Sequence, residues 1–356
     1  MGFGGGPPRL RVMPNHLIES PALMPRCSRF RIATLMFCAL AWLWAAPARV
    51  QAQAPAPAWP SKPVKIIVAG SPGSPPDVLA RGLGQRLQEK TGQAFIIDNR
   101  PGANTIIAMQ ACAIAVPDGS TFCLTTNDSL SVNPHLYNKL PYDPDKSFAP
   151  VAMLAWPHGV IVANAQLGVK TFQEVVALSK AKPGTLNWAS FGVGSSSHLY
   201  LEWIRDRTGW DVTHVPYNAG RAVPATLSGE AQLTYLTIGG LKQHLDAGKL
   251  VALAVAGTER SPFLPQVPTF AEVGLGDFFI RTWFGLFAPA GTPAEAVAKM
   301  HQLAINIVND ASFKTQTMDP LTLAPAQASI EQMQAYLKKD RETGAAVVKI
   351  AKVKLD

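Results

Sequence analysis

Between Asn187 and Trp203 the chain reads NWASFGVGSSSHLYLEW, so that Ser190, Gly192, Gly194, Ser195, Ser196 and His198 fall within nine residues. Hydroxyls and glycines crowded ahead of an apolar, helix-like run suit three chemistries: a nucleophilic serine, a phosphate cradle, or a cup for some other anion. A lysine-bearing phosphate loop is excluded because GVGSSS lacks the lysine, and the dinucleotide glycine pattern breaks at Ser197. No G-x-S-x-G elbow occurs in the stretch. Ser195 and His198 would share one helical turn, a poor geometry for one to attack a substrate held by the other. An anion cup or a helix cap is favoured over a catalytic serine, with His198 either a ligand group or a packed core histidine. A cap needs one hydroxyl, and three serines stand here beside two glycines.

Two other segments share this character, GSPGSPPD (70–77) and TTNDSLS (125–131). In open α/β sheets ligands gather where loops leave the carboxyl ends of strands. Helix N-termini in such loops attract anions through their unpaired N–H groups and the positive end of the helix dipole. The three loops contain no basic residue. Arg81, one helical turn after Asp77, reads as an i,i+4 surface pair, and Arg221 stands on the far wall. The histidines 135, 158, 198, 214, 244 and 301 are scattered, with no i,i+4 pair and no C-x-x-C, which removes the usual metal patterns.

The elements that must position these loops alternate. VKIIVAG (64–70) reads as a strand, 76–91 as a helix opened by proline, FIIDN (95–99) as a strand, 105–116 as a helix and TFCLTT (121–126) as a strand. A second α/β series runs through 171–257, and helices over 294–309 and 330–352 close the chain. Such alternation predicts parallel α/β layers. Two long apolar stretches, 151–163 and 278–290, are long enough to cross between lobes. If they do, residues 53–158 and 285–356 form one domain and 159–284 an inserted second, with a cleft that hinge bending can close.

Of the 32 basic and 24 acidic residues, six basic and one acidic fall within residues 1–52, leaving 26 against 23 and a net charge of +3 for the remainder. That near balance, with no basic run interleaved with aromatics, gives no support to nucleic-acid binding. Residues 24–52 have a basic start, an apolar run Ile32–Ala46 and the small-residue site Val50-Gln51-Ala52, the three parts of a secretory signal. The run is shorter than the roughly 20 residues needed to span a bilayer. Cleavage is expected after Ala52, and residues 1–23 read as a spurious upstream extension. Cys27 and Cys38 leave with the signal. Cys112 and Cys123 remain, either as a disulfide in an oxidising compartment or as two small buried hydrophobes.

The ordered segments WPSKPVKIIVAGSPGSPPDVLARGL, IIDNRPGAN, PDGSTF, VNPHLYNKLPYDPDKSFAPVAMLA, FGVGSSSHL, HVPYN, AGKLVALAVAGTERSPFLPQVPTFAEVGL and WFGLFAPAGTP closely resemble the substrate-binding receptors of tripartite tricarboxylate transporters, often called Bug receptors. The likeness runs from about Trp59 to the C-terminus. It implies a two-lobed type II periplasmic-binding-protein fold with no cofactor and no catalysis, a small organic acid as ligand, and a membrane permease as partner. A periplasmic monomer is the expectation, with a signalling sensor or an enzyme on the same fold as alternatives. Carried over from the family, Gly73, Ser74 and Asp77 form one side of the carboxylate cup. Ser190, Gly192, Gly194, Ser195, Ser196 and His198 form another, and Thr126, Asp128 and Ser129 the third. The chain departs from the family at Ser74 and Pro76, at Asn104 and Thr105 where glycines are usual, at Leu236-Thr237, and at Asn218. These departures imply a less charged pocket than in amino-acid-binding relatives.

Overall fold

The computed structural model describes residues 59–217, 220–257, 259–276 and 280–355. The signal segment and Asn218 lie outside them. The chain opens with β1 (Val64–Val68), α1 (Pro75–Thr91), β2 (Phe95–Asn99), α2 (Ile106–Ala113) and β3 (Thr121–Thr126). It continues through β4 (Phe148–Pro157), β5 (Gly159–Asn164), α3 (Phe172–Ala181), β6 (Leu186–Ser190), α4 (Ser196–Thr208), β7 (Val212–Pro216), α5 (Ala222–Ser228), β8 (Leu233–Thr237) and β9 (Leu250–Val255). It closes with β10 (Phe284–Pro289), α6 (Ala294–Val308), β11 (Leu323–Pro325) and α7 (Ile330–Ala351).

The strands form two sheets, one in the order β11-β4-β10-β3-β1-β2 and one in the order β7-β6-β8-β5-β9. The sequence-predicted 151–163 stretch is two strands rather than one. The chain leaves the first sheet at Pro157, turns at His158, and enters the second at Gly159. Both sheets are mixed, not wholly parallel. Strands linked through helices run parallel, as β1 does with β2 and β3 and β6 with β7 and β8. Strands at the passage between sheets run antiparallel to their neighbours, as β10 does with β3 and β4 and β5 with β8 and β9. Parallel pairing requires a crossover connection, and the strands that carry the chain between sheets have none to impose it.

Each sheet buries its own core. Leu79, Leu83 and Leu87 repeat every four residues on α1 and are fully buried against Val64, Ile66 and Val68 of β1. Each such side chain contributes about 1.5–3 kcal/mol by leaving water. In the second sheet Trp188, Trp203 and Trp210 pack with Phe172 and Phe270, and Trp188 meets Trp210 edge to face at 5.6 Å. Trp188 Nε1 also donates to the Ser197 carbonyl at 3.0 Å, tying β6 to the first turn of α4. The orientation of that turn is thus set by the largest side chain of the core beneath it.

Cys112 on α2 and Cys123 on β3 form a disulfide, with Cα atoms 6.1 Å apart. Closing so short a loop restricts the unfolded chain by about 2–3 kcal/mol. Replacing both cysteines by alanine should lower the unfolding free energy by that amount in urea titrations, and adding reductant to the native protein should reproduce the loss.

Candidate functional site

The turn between β6 and α4 is built from its glycines. Gly194 holds φ +82°, which a side chain rarely adopts, and a Cβ there would lie 2.7 Å from Leu136 Cδ1, across the cleft. Ser195 is the N-cap of α4: its hydroxyl accepts from His198 N at 3.4 Å and donates to the Gly192 carbonyl at 2.8 Å. His198 is buried, with Nδ1 accepting from Gly194 N at 3.1 Å and Nε2 lying 3.6 Å from Glu202 Oε1. Its ring stacks on His214 at 3.8 Å. Ser190 is fully buried and shares a 2.6 Å hydrogen bond with His214 Nε2. Burial first, and the neighbouring His198 second, push the His214 pKa down to about 4, so this imidazole is neutral near pH 7. These groups satisfy one another within their own half of the molecule.

Ser196, at the first position of α4, does not. Its hydroxyl donates to Asp128 Oδ1, its backbone N–H donates to the same carboxylate, and Asn127 Nδ2 reaches its Oγ at 3.1 Å. Asp128 and Asn127 come from the turn after β3, in the other sheet's half of the molecule. A carboxylate of this chain therefore occupies the anion-attracting end of α4. Burial raises the half-buried Asp128 carboxyl to about 6, partly offset by the two Ser196 hydrogen bonds and reinforced by the charge of Asp340. Beside it Ser129, fully buried, bonds with Thr125 Oγ1 at 2.8 Å and donates to the Thr126 carbonyl at 2.7 Å. Thr126 itself is half-buried at the end of β3.

The third wall is the start of α1. Pro75 and Pro76 occupy its first two positions and have no N–H to offer, which weakens this terminus as an anion seat. Asp77 is buried and accepts from Gly73 N at 2.7 Å while pairing with Arg81 at 3.0 Å. Burial acts to raise its pKa, but the bonds from Arg81, Gly73 and Asn99 outweigh it and hold the carboxyl below its usual value. Ser74 Oγ donates to the Ser71 carbonyl at 2.6 Å. Asp77 thus braces the loop carrying Gly73 and Ser74. Arg221 lies over the Tyr217 ring and 3.5 Å from Glu230.

Three further residues stand at the cleft: Asn104 and Thr237, which the sequence marks only as departures from the family, and Gly239, which it does not single out. Asn104 Nδ2 donates to Asn133 Oδ1 at 2.6 Å and to the Gly194 carbonyl at 3.3 Å, another contact across the cleft. It sits in a run of left-handed residues, Ala103, Asn104 and Thr105, with φ of 45°, 47° and 74°. Each costs about 1–2 kcal/mol relative to ordinary backbone. Thr237, at the carboxyl end of β8, is 6% exposed, and its hydroxyl has no hydrogen-bond partner among the described residues. Gly239 then meets Leu321, where a Cβ would lie 2.0 Å from the carbonyl oxygen. The signal for Thr237 and Gly239 was positional: strand ends face ligands, and a Gly-Gly pair follows this one.

Two concavities lie away from these loops, one of about 400 Å³ beside Lys170 and Asp246 and one of about 620 Å³ beside Gln88 and Glu89. At the loops themselves the two halves touch. Residues 79–350 match the family described as tripartite tricarboxylate transporter family receptor. Protein BugT of Bordetella pertussis is 32% identical over 313 residues, covering 85% of this chain and 96% of that one. The R. palustris protein Rpa4515, solved with adipate, superposes with a TM-score of 0.80 at 29% identity, over 83% of this chain and 99% of the other. MatC from Rhodopseudomonas palustris with bound malate gives 0.76 at 29% identity, over 82% and 100%.

The raised Asp128 pKa has a consequence for stability. A carboxyl protonating near 6 in the native state and near 3.8 when unfolded contributes stability below about 3.8, which is lost as pH rises through 6. Asp128→Asn should therefore leave the melting temperature little changed at pH 4 and raise stability at pH 8 by about 1–3 kcal/mol. Thermal melts across that range check the sign.

Proposed function

Because this chain belongs to the tripartite tricarboxylate transporter receptor family, we propose that it is an exported receptor that captures a small organic acid between its two sheets and presents it to a membrane permease. The observation that carries this reading is the start of α4. Its Ser196 N–H and hydroxyl face the opposite half of the molecule and are already engaged by a carboxylate. Adipate and malate, found with two structural relatives, are small carboxylates of the kind that fits such donors.

Binding without turnover is the reading the local contacts favour. Ser190 and His214 are the pair an enzyme would use, but Ser190 is fully buried and His214 is stacked on His198. Export is supported by the signal-like N-terminus and by the Cys112–Cys123 bond, which suits an oxidising compartment. No helix among the described residues is long and apolar enough to cross a membrane.

Calorimetric titration with adipate and malate tests this reading, and binding with both acids recovered unchanged is the expected result. Ser196→Ala removes a hydrogen bond to a charged group, contributing on the order of 1.5–3 kcal/mol, and should weaken binding roughly 10- to 100-fold. Gly239→Ala places a Cβ 2.0 Å from the Leu321 oxygen and so holds the halves apart. It should weaken binding by tenfold or more while circular dichroism stays native.

A further inference from the structure

α4 offers the stronger anion seat of the two helix starts at the cleft, because α1 opens on two prolines. Asp128 already holds that seat through the Ser196 N–H and hydroxyl. A ligand carboxylate arriving there meets a like charge at hydrogen-bond distance, in a half-buried setting where repulsion is poorly screened. Two carboxyl groups share such a place by holding one proton between them, as a carboxylic acid donating to a carboxylate. We propose that Asp128 is the specificity-determining residue of the cup, and that it admits a ligand carboxylate only together with one proton, shared between the ligand and Asp128. This rests on the small-acid reading above and narrows it: the receptor binds an organic acid plus a proton rather than the bare anion.

The surroundings suit that role. Asp340 on α7 adds negative charge and disfavours ionisation of Asp128. Asp340 is itself buried and accepts from Trp283 Nε1 at 2.8 Å. Tyr137, Tyr142, Tyr200 on α4 and Tyr235 on β8 are the other titratable groups that feel the Asp128 charge, and burial raises all four, so they stay neutral. Arg341, the basic group of α7 nearest this turn, is committed to Asp145 and to the Leu130 carbonyl. On α4, Glu202 is paired with Arg205. Asn127, which donates to both Ser196 and Asp128, holds the two sides of the seat in register. A proton is thus the remaining means of neutralising a second carboxylate.

The test is calorimetry of adipate and of malate between pH 7 and 8.5, where aliphatic carboxylates are ionised in solution, run in two buffers of different ionisation heat. The expected result is about one proton taken up per ligand, with affinity falling toward tenfold per pH unit. Asp128→Asn, whose amide donates without needing a proton, should abolish the uptake, flatten the profile, and bind more tightly than the native protein at pH 8.5. Native binding with no proton uptake and a flat pH profile would overturn the proposal while leaving the small-acid reading intact, as would uptake that persists in the Asn variant. Absence of binding by both proteins to both acids would remove the small-acid reading, and the proposal with it. Should the Asn variant fail to fold, the proton count of the native protein decides alone.

Discussion

Backbone N–H groups in the first turn of α4 have no partners within the helix, and the architecture of the cleft follows from which acceptor reaches them. Ser195 supplies one acceptor from the same loop, and Asp128 supplies another from the opposite half of the molecule. The second solution requires the halves to approach, and the approach sets the remaining details. Gly194 must lack a side chain against Leu136, and Gly239 against Leu321. Asn104 must hold a left-handed backbone to reach the Gly194 carbonyl. Placing the Asp128 carboxylate in this half-buried turn raises its pKa.

The two helix starts are unequal, and the inequality has a chemical origin. α1 spends its first turn on prolines and on an Asp77–Arg81 pair that stiffens its own loop. α4 keeps its N–H groups and is pinned from below by the Trp188 indole. In the cup proposed above, the α1 wall would supply shape and the α4 wall the electrostatics. A rigid seat is the better partner for a mobile ligand, since less ordering is left to occur on binding.

Much of the fold was legible because helices and strands announce themselves by periodicity. Leu79, Leu83 and Leu87 mark the buried stripe of α1, and FIIDN and TFCLTT each fall on the observed strand. The expected domain boundary falls at 158/159, but the division of the apolar run into two strands there was not legible, since the run continues through His158 and only the pairing of β4 and β5 with different sheets divides it. The candidate loops were legible as loops, but the assignment of donors within them was not. Three adjacent serines look alike in sequence, whereas in the structure Ser195 caps the helix, Ser197 lends its carbonyl to Trp188, and Ser196 alone of the three faces Asp128. Asp77, His198 and Ser190 likewise turn to neighbours in their own half. Which neighbour a polar side chain meets is decided by tertiary approach, and no local pattern encodes it.

The polar contacts named across the cleft are small: Asn104 with Gly194, Asn127 with Ser196, Asp128 with Ser196; beside them Leu199 of α4 packs in an apolar cluster with Val132, Leu136, Val347 and Val348. The two neutral hydrogen bonds among these contacts each net only about 0.5–1.5 kcal/mol, because open halves bond to water instead. Against them stand the strain of residues 103–105, the Thr237 hydroxyl, unpartnered among the described residues, and the half-buried Asp128 charge. Favourable and unfavourable terms thus meet at the same seam. On the function proposed above, a ligand that satisfied Thr237 and shared the α4 seat would shift closure by its differential affinity for the closed form alone. A tighter apolar seam would close the cleft permanently, and a weaker one would leave the ligand to bear the full cost of ordering two halves.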